Sequence, residues 1–270
     1  MLFSAIALVL GVLVAEVAPD VKLKQVPAPV SCPTSDAAAM KAFNTANDAD
    51  TAGDGARAER LYLEALTRDP KYCDAMDHLG RLARRRGKLD EAMVWYRKSL
   101  AVRPDNDVAQ LNLATALGLQ GKNDEALKEI EALLRRSPDS AEAHFQAGIR
   151  YTIAHDPKRA LEHAQKAEQL YAASSPELVA DAKVVEGTAL LFLHDCGLAR
   201  AVLEPIEAKK EQDPWLNYVL GVCALDGHRE ELARGVPEST PWLDKARGYL
   251  RRAKAAGKQM DPELIKFLRL

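Results

Sequence analysis

Apolar residues along 36–140 recur at i, i+3, i+4 and i+7, the spacing of one face of a helix, and the recurrence itself repeats. Over 73–86, Met76, Leu79, Gly80 and Ala83 line one face and predict a helix. Gly87 ends it, as a left-handed position at a helix C-terminus favours. Over 89–102, Ala92, Tyr96, Ser99 and Leu100 predict a second helix, closed by the turn at Pro104. The next stretch copies the scheme with Leu113, Ala114 and Leu117, a break at Gly121, then Ala126, Ile130 and Leu133. The preceding stretch is weaker, with Ala42, Ala46 and Ala49 before Gly53, then Ala58, Tyr62 and Ala65.

Three prolines give the pattern a ruler: Pro70, Pro104 and Pro138 are each 34 residues from the next. Twelve residues before each stands Ala58, Ala92 or Ala126, and eight before stands Tyr62, Tyr96 or Ile130. Twenty-four before stands a small residue: Ala46, Gly80 or Ala114. A fixed period of this length marks a repeat array. The small residues have a steric reason. Two helices crossing about 8–10 Å apart leave no room for a long side chain at the closest point.

Small, large, small and proline at these offsets resemble the tetratricopeptide repeat. The resemblance implies an all-α, right-handed α-solenoid of antiparallel helix pairs, with about six repeats and a C-terminal capping helix. It covers roughly 36–260, as 39–72, 73–106, 107–140, 141–174, about 177–211 and about 214–258. The fourth copy keeps Gly148, Tyr151, Ala160 and Ala167 but has Ala172 where the proline belongs, with Pro176 four residues late. The fifth keeps Gly187, Leu190, Ala199, Leu203 and Ile206. The sixth has Trp215, Leu220, Gly221 and Ala224, a long expected connection over 226–241, then Ala246, Leu250 and Ala253. Residues 261–270 read as a closing helix, with Leu264, Ile265 and Leu268 covering the last apolar face.

Composition sharpens this picture. Ala and Leu dominate the apolar residues, and 37 basic against 39 acidic residues leave a net charge of −2. Nothing global therefore recruits nucleic acid or an acidic membrane. Residues 2–15, LFSAIALVLGVLVA, carry no charge. As a helix they would span roughly 21 Å, short of the ~30 Å hydrocarbon core. Residues 1–18 therefore read as a signal peptide, with a small-residue cut after Ala15, or as an uncleaved membrane anchor. A buried first helix is the remaining alternative. No Lys or Arg precedes the apolar run, which departs from the usual signal pattern. Residues 19–35 hold four prolines and read as an extended linker. The expected location is the periplasm or cell envelope, by export or by an N-terminal tether.

Cys32, Cys73, Cys196 and Cys223 all lie beyond that segment. An even count in an exported chain invites disulfides, with 32–73 and 196–223 as the candidate pairs; four separate thiols are the alternative. His194, Cys196, Cys223 and His228 match no zinc finger or ribbon spacing, so no metal is expected. No zinc-protease helix, phosphate-binding glycine loop or nucleophile elbow is present, so neither catalysis nor a cofactor is expected.

The family resemblance further implies a concave face lined by the first helix of each pair. The matching positions carry Asn47 and Asp50, then Asp77, Arg81, Arg84 and Arg85, then Leu111, Thr115, Phe145 and Ile149. That order reads as a polar end, a basic patch and an apolar trough. The expected ligand is a protein or peptide with acidic and apolar residues, gripped through guanidinium–carboxylate pairs. The alternative is that Arg84, Arg85 and Arg86 only solvate a helix end and complement its dipole. Family members that hold chaperone tails clamp carboxylates with Lys, Asn and Arg. Here Phe43, Leu111 and Thr115 occupy several of those positions and only Asn47 is kept, which argues against a chaperone tail. The functional expectation is a non-catalytic interaction scaffold. An envelope assembly factor and a regulatory module acting on an enzyme are the alternatives.

Overall fold

The computed structural model describes residues 32–235 and 241–270, so the apolar leader and most of the linker lie outside the described residues. The chain divides into two compact units at residues 138 and 139. Every regular element among the described residues is helical.

The first unit holds three antiparallel helix pairs: α1 (Ala37–Thr51) with α2 (Gly55–Arg68), α3 (Cys73–Arg85) with α4 (Leu89–Val102), and α5 (Asp107–Leu119) with α6 (Asn123–Arg136). Side chains fix the helix starts. The carboxylates of Asp36 and Asp54 accept from the backbone N–H groups of Ala39 and Arg57, and Asn106 accepts from Ala109. Pro70, Pro104 and Pro138 each follow the last residue of α2, α4 or α6 by two. At the crossings Ala58, Ala92 and Ala126 are fully buried, and Tyr62, Tyr96 and Ile130 fill the adjacent space. Tyr96 lies so close to Gly80 that a Cβ there would meet its ring at 2.5 Å.

The second unit holds α7 (Ala141–Ile153) with α8 (Pro157–Ser174), α9 (Val179–Phe192) with α10 (Cys196–Leu203), α11 (Pro214–Ala233) with α12 (Pro241–Ala255), and the closing helix α13 (Pro262–Leu268). The period slips here for local reasons. With Ala172 in place of a proline, nothing stops α8 at the usual point, and it runs 18 residues against 14 in α2, α4 and α6. Pro205 lacks a backbone N–H, so α10 lasts only 8 residues before a 3₁₀ turn over Glu204–Lys209 takes over.

The sixth pair corrects the sequence expectation. The first half of the connection expected over 226–241 is helix, because α11 continues to Ala233. Gly227 does not break it, since it lies against the ring of Trp242, and Arg229 pairs with Asp226 one turn away at 2.5 Å. Cys196 is the first residue of α10. In α13, Leu264 and Leu268 are buried in the same cluster as Leu250 and Ala253.

Candidate partner-binding face

In the first unit the face offered by α1, α3 and α5 carries a polar network rather than a row of free charges. Asp50, near the end of α1, is the centre. Arg81 Nη2 approaches its Oδ2 at 3.4 Å, and Arg85 Nη2 contacts its Oδ1. The Asp50 side chain is only 7% exposed, against 23% for Arg81 and 37% for Arg85, so the carboxylate lies beneath two guanidinium groups. Taking a carboxylate from water costs several kcal/mol unless it is paired, and two arginines satisfy it here. The basic patch expected to hold a partner's carboxylate already holds one of its own.

Arg81 Nη2 also lies 3.1 Å from His78 Nδ1, and the Tyr62 hydroxyl lies 2.8 Å from the same nitrogen. The Tyr62 hydroxyl is 2.7 Å from Asn47 Oδ1, which links Asn47 to the network. A guanidinium can only donate, so His78 Nδ1 accepts and the imidazole is neutral with its proton on Nε2. Burial, reinforced by Arg81, pushes the His78 pKa down to about 3. Burial and the Asp50 carboxylate push the Tyr62 hydroxyl above its ordinary range.

Asp77 departs from its expected place. Its carboxylate is buried, with Oδ2 accepting from Asn106 Nδ2 at 2.8 Å, and Asn106 also donates to Ser99 Oγ at 2.9 Å. Asp77 thus braces the N-cap of α5 and does not face a ligand. Arg84 is half-buried near Tyr96, whose hydroxyl burial pushes up to about 12 against the pull of that guanidinium. Leu111 and Thr115 are half-buried on α5, with Leu119 a further apolar side chain 43% exposed at its end.

The remaining trough residues belong to the second unit and are corrected there. Phe145 is 2% and Ile149 6% exposed, so both are core. Phe145 packs edge-on to Tyr171 at 6.1 Å, and α9 lies against α7. The sequence reading took register alone as exposure, but a neighbouring helix covers these positions. It also missed His78 and the pair His144 and His163, whose Nδ1 atoms are 2.9 Å apart. His78 could have been found from its place one turn before Arg81. The 19-residue spacing of His144 and His163 is that of Gln110 and Glu129, which meet in the third pair, so the repeat register was the signal that could have found them.

All four cysteines are bonded, Cys32 to Cys73 and Cys196 to Cys223, with Cα separations of 5.4 and 5.0 Å. The second bond removes the thiolates from the zinc set considered with His194 and His228. The first is reinforced by the Cys32 N–H, which donates to Asp74 Oδ1 at 3.1 Å, and by the Thr34 hydroxyl, which donates to Asp69. Among the described residues, no helix is long and apolar enough to cross a membrane.

Two tetratricopeptide-repeat profiles match this chain, one over residues 43–107 and one over 83–148. Residues 43–148 are tetratricopeptide repeats. The chain's all-α repeat fold recurs in solved structures. The protein MamA from Desulfovibrio magneticus RS-1, from residue 41 to its end, is 20% identical with a TM-score of 0.57, over 67% of this chain and 99% of that one. A chain of the APC/C hetero-tetramer Cut9–Hcn1 is 16% identical with a TM-score of 0.70, over 85% of this chain and 42% of that one. YrrB, described as a TPR protein with an unusual peptide-binding site, is 17% identical with a TM-score of 0.56, over 72% and 95%. At these identities the tetratricopeptide fold is what is shared. No curated protein sequence gave a significant match.

Proposed function

We propose that this protein is a non-catalytic scaffold that holds a peptide or protein bearing acidic and apolar residues on the α1–α3–α5 face. The observation that carries the reading is the Arg81–Arg85 pair over Asp50. One buried carboxylate between two arginines leaves a net positive charge, and Arg85 is 37% exposed. Arg84, half-buried beside Tyr96, adds a further guanidinium, with Leu111 and Leu119 supplying apolar contact on α5. A carboxylate reaching Arg85 would form a charge-assisted hydrogen bond, while Arg81 stays committed to Asp50 and His78.

The test compares fluorescent Asp/Leu-rich peptides with counterparts in which Lys replaces Asp. The acidic set should bind in a salt-sensitive way, and Arg84→Glu with Arg85→Glu should weaken it about tenfold or more at unchanged helicity. Equal binding of both peptide sets, or no loss in the double variant, would remove this face as the site.

The same proposal places the scaffold outside the cytoplasm, exported or tethered by its N-terminal segment. Support comes from the uncharged run at 2–15 and from the pairing of all four cysteines, since structural disulfides persist in oxidising compartments. Sequencing the mature N-terminus distinguishes the two forms: a start near Glu16 means cleavage, and an intact Met1 means an anchor. Recovery of the whole chain from the cytosolic fraction with reduced thiols would overturn both.

A further inference from the structure

Asp50 stands in the last turn of α1, and both oxygens of its carboxylate are engaged. Oδ2 faces Arg81, which also lies 3.1 Å from His78 Nδ1, and Oδ1 faces Arg85. The two arginines are held differently. Arg81 is gripped from two sides, by Asp50 and by His78, whereas Arg85 reaches Asp50 through one nitrogen with its side chain 37% exposed. The repeat itself does not demand this cluster. The matching three positions one pair later, on α3 and α5, carry Arg84, Thr115 and Leu119. In the second unit, on α7 and α9, they carry Thr152, Thr188 and Phe192. Helices thus meet at those junctions with no carboxylate set between two guanidinium groups. A desolvated ion cluster returns little net stability for the water it gives up, so packing alone does not account for Asp50.

We propose that Asp50 is an internal competitor for the partner-binding face, occupying the guanidinium that a partner's carboxylate needs and so setting how acidic a partner must be. This inference rests on the face assigned under the proposed function and concerns the regulation of that same face. The geometry makes one arginine fixed and the other exchangeable. Arg81 keeps Asp50 Oδ2, so Arg85 turns to a ligand without leaving the buried carboxylate unpaired. An incoming carboxylate then meets two opposed effects. It gains a charge-assisted hydrogen bond from Arg85, and it comes to rest beside the negative charge of Asp50. One isolated carboxylate gains little over its hydration in water. Several adjacent carboxylates on one partner outweigh the single charge of Asp50 and take Arg85 from it. The face therefore selects dense acidic segments over scattered acidic residues.

The full chain is titrated with the fluorescent Asp/Leu-rich peptides, one set with adjacent Asp residues and one with the same number spaced apart, and with their Lys counterparts. The wild type should prefer the adjacent set. Asp50→Asn keeps one oxygen to accept from Arg81 and removes the competing charge. It should bind the acidic peptides about tenfold more tightly at low salt, gain nothing toward the Lys peptides, and lose most of the preference for adjacent Asp. Adding Arg85→Ala should abolish the gain, because the released guanidinium is then missing. If Asp50→Asn fails to fold by circular dichroism, Asp50→Thr supplies the residue that α7 carries at the matching position, Thr152, and should show the same gain. A gain that survives Arg85→Ala would overturn the competitor role. So would a folded Asp50 variant that loses urea stability without binding acidic peptides more tightly, even where Arg84→Glu with Arg85→Glu still weakens wild-type binding; in that case the face stands and only the role of Asp50 falls. Equal binding of acidic and Lys peptides by the wild type would remove the face, and the competitor with it.

Discussion

Replacing Gly80 with alanine tests the packing argument at its tightest point. The added Cβ would stand 2.5 Å from Tyr96 Cε1 and 2.8 Å from both Cδ1 and Cζ. Ordinary carbon contacts lie at about 3.5–4.0 Å, so either the ring or the helix must give by about 1 Å. The ring has nowhere to go, because Tyr96 is fully buried among Ala83, Ala92 and Leu117. Overpacking of this kind costs about 1–3 kcal/mol, and the size of the clash argues for the upper end. Alanine recovers about 1 kcal/mol of helix propensity, leaving a net loss of about 2 kcal/mol. Gly248 in α12 is the internal control, since a Cβ there meets nothing within 4 Å. Gly248→Ala should therefore stabilise by about 1 kcal/mol from propensity alone. Urea unfolding followed by circular dichroism measures both, and the transition that shifts identifies the unit affected. Equal stability of Gly80→Ala and wild type, or the same sign for both variants, would refute the claim that close approach at position 80 requires glycine.

Two further outcomes follow from the backbone and from buried charge. The first three pairs place Gly53, Gly87 and Gly121 in the left-handed turn after the first helix, whereas the fourth and fifth place His155 and His194 there at φ of 57° and 61°. His155→Gly and His194→Gly should each stabilise the second unit by about 1 kcal/mol in urea titrations, and a loss would show that the imidazoles contribute contacts worth more than the strain. Burial raises the Asp77 pKa to about 7, against hydrogen bonds from Ser99 and Asn106, so the folded state binds a proton the unfolded state has released. This group therefore lowers stability as pH rises from its unfolded value toward 7. His78, held neutral with a folded pKa near 3, acts in the opposite sense up to its unfolded value of 6.5. The two slopes oppose each other across mildly acidic pH. Asp77→Asn removes one of them, so the stability of this variant relative to wild type should climb between pH 4 and 7 and then level. A flat difference curve would show that Asp77 is ionised throughout.

Much of the fold was legible because the repeat encodes it redundantly. Helix α4 begins at Leu89 and ends at Val102 as the apolar face and Pro104 imply, and glycine marks the turn in each of the first three pairs. Legibility faded where a single punctuation residue changed. The absence of a proline at 172 lengthened α8, and the connection expected from residue 226 turned out to continue α11 to Ala233, with Gly227 packed against Trp242. The candidate face was half legible. Arg81 and Arg85 stand where register put them, but their engagement with Asp50, 31 and 35 residues away, depends on which helices become neighbours.

By itself the sequence determined the helix pairs, their turns and the small-against-large crossings, because these depend on spacing within some thirty residues. Only the tertiary structure decided which polar groups are free and which are spent. Asp77 became a brace, Phe145 and Ile149 became core, and His144 met His163. The physical reason is that exposure and pairing belong to neighbours brought together by folding. A helical register names the side a residue faces, but not what lies against it.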